Sequence, residues 1–412
     1  MEYGCIGERL SHSFSREIHK ALADYEYILR EVPREELDSF MKNADFKAIN
    51  VTIPYKELVI PYLYFIDSVA ESIHAVNTVV NRDGRLYGYN TDSYGMKSMI
   101  EYAGIDFKDR KVAILGTGGT SKTAFAVATS LGAKVIFKVS RSVSDGAVTY
   151  GDLYENHSDT EIIINTTPSG MYPNIFDTPV DLSHFERLVG VVDAVYNPLR
   201  SRLVLSALKM GVKATGGLYM LLAQGKRASE IFTDNVYGEE ALNSLYSGIL
   251  RQKENIVLIG MPSSGKSTVG RLLAKRLCRD FYDTDEIIEK REGRPISDIF
   301  KNEGEKHFRE LESAVIRELS TKNGVIIATG GGAVLREDNT LALKMNGRLY
   351  FIDRPLSRLF PSGDRPLTST IEALKKKYDE RYPIYNDAMD VRIDADCSDE
   401  TVADRIEENF NL

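Results

Sequence analysis

The run Gly260-Met-Pro-Ser-Ser-Gly-Lys-Ser267 fits the spacing G-x-x-x-x-G-K-[ST] without a mismatch. The apolar run Asn255-Ile-Val-Leu-Ile-Gly260 before it reads as a buried strand, and Val269, Leu272, Leu273 and Leu277 after it recur at helical spacing. Strand, glycine loop and helix together constrain this stretch far more than the glycines alone, which could otherwise form a chance turn. In that context the backbone N–H groups converge on phosphate oxygens at a helix N-terminus, whose dipole favours an anion. Lys266 adds a point charge and Ser267 a hydroxyl for Mg²⁺. The loop implies a bound nucleotide and leaves the phosphate acceptor open.

A chain of 412 residues is long enough for about two to three domains. The hydrophobic fraction of 43% supports sizeable cores, while the net charge of −8 argues against a nucleic-acid partner. No apolar run reaches the ~18 residues of a membrane span, and the N-terminus lacks a signal-peptide pattern. Cys5, Cys278 and Cys397 are odd in number and widely spaced. They read as buried free thiols in a reducing cytoplasm, not as disulfides or zinc ligands. Oligomeric state is left open.

In the first hundred residues, Tyr3 to Gly7 is a short strand, followed by Ser11-His-Ser13-Phe-Ser15 and a helix from about Arg16 to Tyr25. Ser13 and Ser15 could cap that helix or aim hydroxyls at a polyol or carboxylate. Ala48-Ile-Asn-Val-Thr52-Ile-Pro-Tyr-Lys56 is a strand stopped by Pro54, and Ala75-Val-Asn77-Thr-Val-Val80 is a second strand with a lone amide. Leu86-Tyr-Gly-Tyr-Asn-Thr-Asp92 ends just before a helix expected near Tyr94. Taken singly, Lys56 could be a surface lysine and Asp92 a helix N-cap. In this order, however, the four stretches resemble the shikimate dehydrogenase family. The resemblance implies that Lys56 and Asp92 form a catalytic pair, with Ser13, Ser15, Thr52 and Asn77 around 3-dehydroshikimate. A lysine beside a carboxylate can supply the proton and stabilising charge that ketone reduction requires. Arg16 stands where the family usually has proline.

Arg110-Lys-Val-Ala-Ile-Leu-Gly116 is a basic-then-apolar strand that opens the turn Gly116-Thr117-Gly118-Gly119-Thr120-Ser121, followed by a helix expected over Lys122 to Leu131. Between a strand and a helix, this G-x-G-G-x-S turn reads as a seat for a dinucleotide pyrophosphate. The second strand ends at Ser140-Arg141-Ser142, where NAD sites carry an acid. A cation and hydroxyls there suit the NADP 2′-phosphate, although Arg141 could also be an ordinary surface charge. Glu161 to Gly170, Val191-Val-Asp-Ala194-Val-Tyr196 and Gly216-Gly217-Leu-Tyr-Met-Leu-Leu-Ala-Gln224 also resemble the family. The match implies Ala194 and Gly217 near the nicotinamide, and Tyr196 and Gln224 on the substrate. Otherwise Tyr196 would be core and Gln224 a helix-surface amide. A helix around Ile231 to Leu250 is expected to return to the first domain. Quinate and methylene-tetrahydrofolate dehydrogenases are rivals with the same architecture, and the missing acid disfavours the NAD-preferring quinate enzymes.

Beyond the phosphate loop, Phe281-Tyr-Asp283-Thr-Asp285 carries two carboxylates at i, i+2, which point the same way on an extended segment. Arg309 lies in a helical stretch, Val325 to Gly332 is a strand ending in three glycines, and Arg365 lies in a polar loop. Arg381 follows a charged helix. Together with the loop this series is similar to shikimate kinases from about residue 254 onward. The similarity implies ATP on Ser263, Ser264, Gly265, Lys266, Ser267 and Thr268, with Mg²⁺ on Ser267 and Asp283. It further implies Asp285 on the acceptor 3-hydroxyl, and Arg309, Gly331 and Arg381 around shikimate. Arg365 would be a lid residue, while the role of Arg358 stays open.

The fold expected is α/β throughout: an α/β substrate domain plus a Rossmann NADP domain, fused to a P-loop kinase with a parallel sheet. Expected boundaries are 1–98 (completed by about 225–248), 99–224, a linker at 249–254, and 255–412. The function implied is NADPH-dependent reduction of 3-dehydroshikimate followed by MgATP-dependent phosphorylation of shikimate. A ligand sensor or scaffold with one silent half is the rival of a different class.

Overall fold

The computed structural model describes residues 1–8, 10, 15–142, 146–360 and 370–411. It divides into two compact units, Met1–Ser247 and Gly248–Leu412.

The first unit holds two sheets. The first sheet contains β1 (Tyr3–Gly7), β2 (Tyr27–Glu31), β3 (Ala48–Val51), β4 (Phe65–Ile66), β5 (Thr78–Arg82) and β6 (Arg85–Tyr89), ordered β2-β1-β3-β5-β6-β4. β1 runs parallel to β2 and β3, whereas β5 is antiparallel to β3 and β6. Asp83 and Gly84, both at positive φ, form the β5–β6 hairpin turn. Around this sheet lie α1 (Ser15–Leu22), α2 (Leu37–Asn43), α3 (Ser68–Ile73) and α4 (Thr91–Tyr102). One face packs Ile6, Ile49, Val51, Val76 and Val79; the other packs Tyr27, Ala48, Ala228 and Phe232.

The second sheet contains β7 (Lys111–Leu115), β8 (Val135–Ser140), β9 (Val148–Thr149), β10 (Ile162–Asn165), β11 (Gly190–Asp193) and β12 (Lys213–Thr215), ordered β12-β11-β10-β7-β8-β9. All its pairings are parallel. That order is the doubly wound arrangement whose direction reverses between β7 and β10, the crevice where such sheets bind ligands. Strand β10 is buried throughout, as expected for a central strand of a parallel sheet, and α5 (Gly119–Ser130), α6 (Tyr150–Asn156) and α7 (Arg202–Lys209) pack against other strands of that sheet.

α8 (Leu218–Thr233) returns to the first sheet and packs along α4. The helix expected over Ile231 to Leu250 is interrupted: α8 ends with Asp234 in the left-handed conformation, and α9 (Glu239–Lys253) begins five residues later. Tyr246 of α9 meets Tyr102 and Tyr219, and those two rings stack at 4.2 Å. Where a linker is expected at 249–254, α9 continues to Lys253, since that stretch holds no glycine or proline to stop it.

The second unit has one parallel sheet, β13 (Asn255–Ile259), β14 (Phe281–Asp283), β15 (Ile326–Ala328), β16 (Gly347–Asp353) and β17 (Val391–Asp394), ordered β14-β15-β13-β16-β17. Helices α10 (Lys266–Leu277), α11 (Thr284–Glu292), α12 (Ile296–Leu319), α13 (Glu337–Asn346), α14 (Ile371–Ala388) and α15 (Asp399–Asn411) surround it. Leu258, Val269, Leu273, Tyr350, Ile352 and Ile406 form much of its core. Gly304, at φ 84°, breaks α12 into two segments. No helix among the described residues is long and apolar enough to cross a membrane. The three cysteines are free, but only Cys5 is buried; Cys278, the left-handed residue that ends α10, is exposed and Cys397 is partly so.

Two candidate active sites

In the first unit, a cavity of about 580 Å³ opens between the two sheets. Strand β3 ends just before Thr52, and the turn that follows delivers Lys56 to this cavity; the first turn of α4 delivers Asp92. Lys56 Nζ donates to Asp92 Oδ2 at 2.5 Å, with both side chains mostly shielded. Asp92 is not the cap of α4. The helix starts at Thr91, and Asn90 Oδ1 accepts from Ser93 N, which leaves Asp92 to the lysine.

Asn77 is buried, and its side-chain oxygen accepts from Thr91 N at 2.8 Å and Thr91 Oγ1 at 3.2 Å. Those bonds commit the oxygen to the protein and give the amino group to the cavity. Gln224 Nε2 donates to the Leu221 carbonyl, and Ser15, Thr52 and Tyr196 complete the polar lining. Burial raises the Tyr196 pKa, keeping its hydroxyl a donor at neutral pH. Ser13 lies outside the described residues.

Two neighbours escaped the sequence reading. Asn50 lines the cavity, accepts from Tyr27 OH at 2.7 Å and donates to the Asn77 carbonyl at 3.2 Å. A polar residue inside the apolar strand Ala48–Val51 was the available signal. Asp193, fully buried at the end of β11, accepts from Asn165 Nδ2, Val195 N and Ser201 Oγ. This network fixes the turn that carries Ala194 and Tyr196 to the cavity. Burial pushes the Asp193 carboxyl up to about 6, against those three donors.

Thr120, Ala194 and Gly217 also line the cavity. Helix α5 begins at Gly119, earlier than Lys122, and Gly118 caps it without a side chain. The first-turn N–H groups therefore belong to the glycine turn that includes Gly116 and Thr117. A Cβ placed on Gly118 or Gly119 would meet no atom within 4 Å, so the space before this helix end is clear. A dinucleotide pyrophosphate fits there. Arg141 follows β8 and is exposed. Gly217 has a different reason to be glycine: a Cβ would collide with the Ala194 carbonyl.

In the second unit a cavity of about 780 Å³ runs along the carboxyl ends of the strands. Lys266 opens α10, is buried, and donates to the Gly260 and Met261 carbonyls at 3.0 and 2.7 Å. Ser263, Gly265, Ser267 and Thr268 line the cavity, and Ser264 is buried in the same loop. Ser267 Oγ donates to Asp283 Oδ2 at 2.5 Å, which brings two hard oxygen donors together. No group of three or more His, Cys, Asp or Glu placed to hold a metal ion together occurs among the described residues. A hydroxyl and one carboxylate, leaving room for phosphate oxygens and water, suit Mg²⁺.

The expected extended geometry of Asp283 and Asp285 is corrected. Asp283 ends β14 and its Oδ1 accepts from the N–H groups of Asp285 and Glu286, so α11 begins at Thr284. Asp285 therefore sits in a first helical turn, yet both carboxylates line the cavity.

Each of the three glycines after β15 admits a different neighbour. A Cβ on Gly330 would lie 2.6 Å from Asp285 Oδ1 and 2.7 Å from Glu312 Oε1; on Gly331, 2.8 Å from Pro262; on Gly332, it would collide with the Arg309 guanidinium. Glu312 is a further residue missed in the sequence. It is fully buried, its Oε2 accepts from Arg309 Nη1 at 2.8 Å, and burial raises its pKa despite that arginine. The i, i+3 spacing from Arg309 was the signal. Glu305, half exposed, accepts from Arg309 Nε and Nη2 at 3.3 and 3.1 Å. Arg381 lies within α14, which continues through Pro383, and its Nη1 donates to the Gly331 carbonyl at 2.9 Å. The fully buried Tyr385 donates to the same carbonyl at 2.5 Å. Arg358 pairs with Asp396 at 2.7 Å, and Arg365 lies outside the described residues.

Over 262 residues the chain is 37% identical to the shikimate dehydrogenase (NADP(+)) of Clostridium beijerinckii, spanning 60% of this chain and 96% of that protein. The chain belongs to the shikimate dehydrogenase family. Shikimate dehydrogenase 1 from Peptoclostridium difficile is similar in structure, with 36% identity, a TM-score of 0.55 and coverage of 60% of this chain and 98% of its own. A chorismate mutase/shikimate 5-dehydrogenase fusion protein from Clostridium acetobutylicum gives 34% identity, a TM-score of 0.57 and coverage of 60% and 96%. The family model of the shikimate dehydrogenase substrate binding domain matches residues 5–79, placing β2, β3, Lys56 and Asn77 inside it. The shikimate kinase family model matches residues 262–411. A shikimate kinase domain thus follows the shikimate dehydrogenase half in one chain.

Proposed function

We propose that the first unit reduces 3-dehydroshikimate to shikimate with NADPH, and that the second phosphorylates the shikimate 3-hydroxyl with MgATP. The observation that carries this reading is that each cavity pairs a proton-handling group with a phosphate seat. In one, Lys56 and Asp92 share a cavity with Thr120 of the glycine turn; in the other, Asp285 lies opposite the phosphate loop.

NADPH, when bound, supplies the hydride. Asp92 holds the Lys56 ammonium, which donates a proton to the ketone oxygen as negative charge develops there and regains one from water. Asn77, Ser13, Ser15, Thr52, Tyr196 and Gln224 hold the ring hydroxyls and carboxylate. Arg141 meets the 2′-phosphate, and Gly116, Thr117, Gly118, Gly119 and Thr120 approach the pyrophosphate, with Ala194 and Gly217 beside the nicotinamide.

Mg²⁺, when bound at Ser267 and Asp283, supplies charge against the β- and γ-phosphate oxygens. Asp285 accepts the proton of the attacking 3-hydroxyl, and Lys266 neutralises charge on the transferring group. Arg309 and Arg381 grip the acceptor carboxylate beside Gly331, with Glu305 giving up its place on Arg309 and Glu312 retaining its own. Arg365 adds positive charge against the phosphates.

The test measures NADPH oxidation with 3-dehydroshikimate and ADP release with shikimate, separately and together. Both half-reactions are expected to proceed. Turnover in only one would assign a sensor or scaffold role to the other unit, and turnover in neither would refute the proposal.

A further inference from the structure

The strand order of the second unit sorts its cavity into regions. Asp285 follows β14, the three glycines follow β15, and the phosphate loop follows β13. On the far side of that loop, away from the acceptor groups, lie the segments after β16 and β17. Arg354 follows β16 and Asp399 opens α15 after β17, and both line the cavity.

Arg354 is built into the phosphate loop. Its Nε donates to the Ser264 carbonyl at 3.1 Å, and its Nη2 donates to Asp399 Oδ1 at 2.5 Å. Its side chain is only 15% exposed. Nη1 has no hydrogen bond among the described residues. A Cβ on Gly265 would lie 2.8 Å from Asp399 Oδ1 and 3.3 Å from Arg354 Nη2, so the pair touches the loop where its N–H groups meet anions. Resting on the kinase reading above, we infer that Arg354 binds the α- and β-phosphates from the nucleoside side, with Asp399 holding the guanidinium in place. Such a contact forms with ATP and ADP alike. It strengthens nucleotide binding throughout the reaction and leaves the chemical step largely alone.

The decisive measurement is MgADP binding to the full chain by calorimetry, with ATP and shikimate KM values alongside. Arg354→Gln keeps a donor for the Ser264 carbonyl and removes the charge. It should weaken MgADP binding and raise the ATP KM by about tenfold or more, with the shikimate KM within about twofold. Arg354→Lys keeps the charge without the fork and should lose several-fold less. It also supplies a second readout should the glutamine variant fold poorly. Unchanged MgADP affinity in Arg354→Gln overturns the inference, as does a loss in Arg354→Lys as large as in the glutamine variant, or a shikimate KM that rises in step with that of ATP, which would mark a merely structural support. A wild-type chain that fails to bind MgADP would overturn the kinase reading itself.

Discussion

Lys56 and Asp92 lie 36 positions apart, and no spacing rule joins them; the fold makes them a pair at 2.5 Å. Lys56→Met should lower kcat for ketone reduction by about 10²- to 10⁴-fold, the usual scale for a lost general acid, while ADP release at the other site is unchanged. Assaying both activities on one preparation checks this, and more than a tenth of wild-type reduction would remove Lys56 from the chemistry. Asp193 makes a prediction in pH. Its carboxyl is raised from 3.8 to about 6 in the fold. The destabilisation is therefore absent below about pH 4, grows as pH rises through the window up to about 6, and is complete at pH 7. Asp193→Asn does not titrate, so its stability relative to wild type should improve by roughly 3 kcal/mol between about pH 4 and pH 7. His19, held near 3 by burial, acts in the opposite sense and loses stability as pH falls from 6.5, but cancels between the two proteins. Denaturant unfolding at both pH values decides it; a flat difference would mean that Asp193 is no acid of this kind. Lys56, Asn77, Lys266 and Arg309 were legible in the sequence because motifs surround them. Asp193 was not, because only the folded turn shows that Asn165, Val195 and Ser201 converge on it.

Helix beginnings do much of the positioning in both units. Gly118 and Gly217 each precede a helix without a side-chain cap, but for unlike reasons. Gly118→Ala meets no protein atom, so it should melt with the wild type while its NADPH KM rises roughly tenfold, equivalent to about 1.4 kcal/mol. Gly217→Ala places its Cβ against the Ala194 carbonyl and should lose about 1–3 kcal/mol of stability. Melting curves beside NADPH titrations separate the two, and matching behaviour would refute the distinction. The strands entering both glycine loops could be read from their apolar runs, since covered parallel strands leave continuous hydrophobic segments. Element starts were harder. Asp283 turns an apparent extended pair into a capped helix by accepting two N–H groups, and Asn90 takes the cap that Asp92 could have filled. Both are choices between equivalent side chains that local spacing does not rank.

At the scale of the whole molecule, two compact units each enclose their own cavity. Lys266→Met should therefore reduce ADP release by about 10²-fold or more and leave NADPH oxidation intact, a contrast that one preparation can establish. The extent of the two halves could be read from their motif series, but not the course of the chain between them. Helix α9 spans the division: it runs through Gly248, buries Leu242 and Ile249, and meets no glycine or proline from 249 to its end at Lys253. Elastase should cut after Val236, which is 89% exposed between α8 and α9, before any bond within Glu239–Lys253; fragment masses that place the first cut inside that helix would refute this. Two sites on one polypeptide are also made in a fixed one-to-one ratio. No change in expression can then raise one activity over the other. Flux through the pair is balanced only by turnover numbers and substrate supply, so a mutation that slows either site cannot be offset by making more of that enzyme alone.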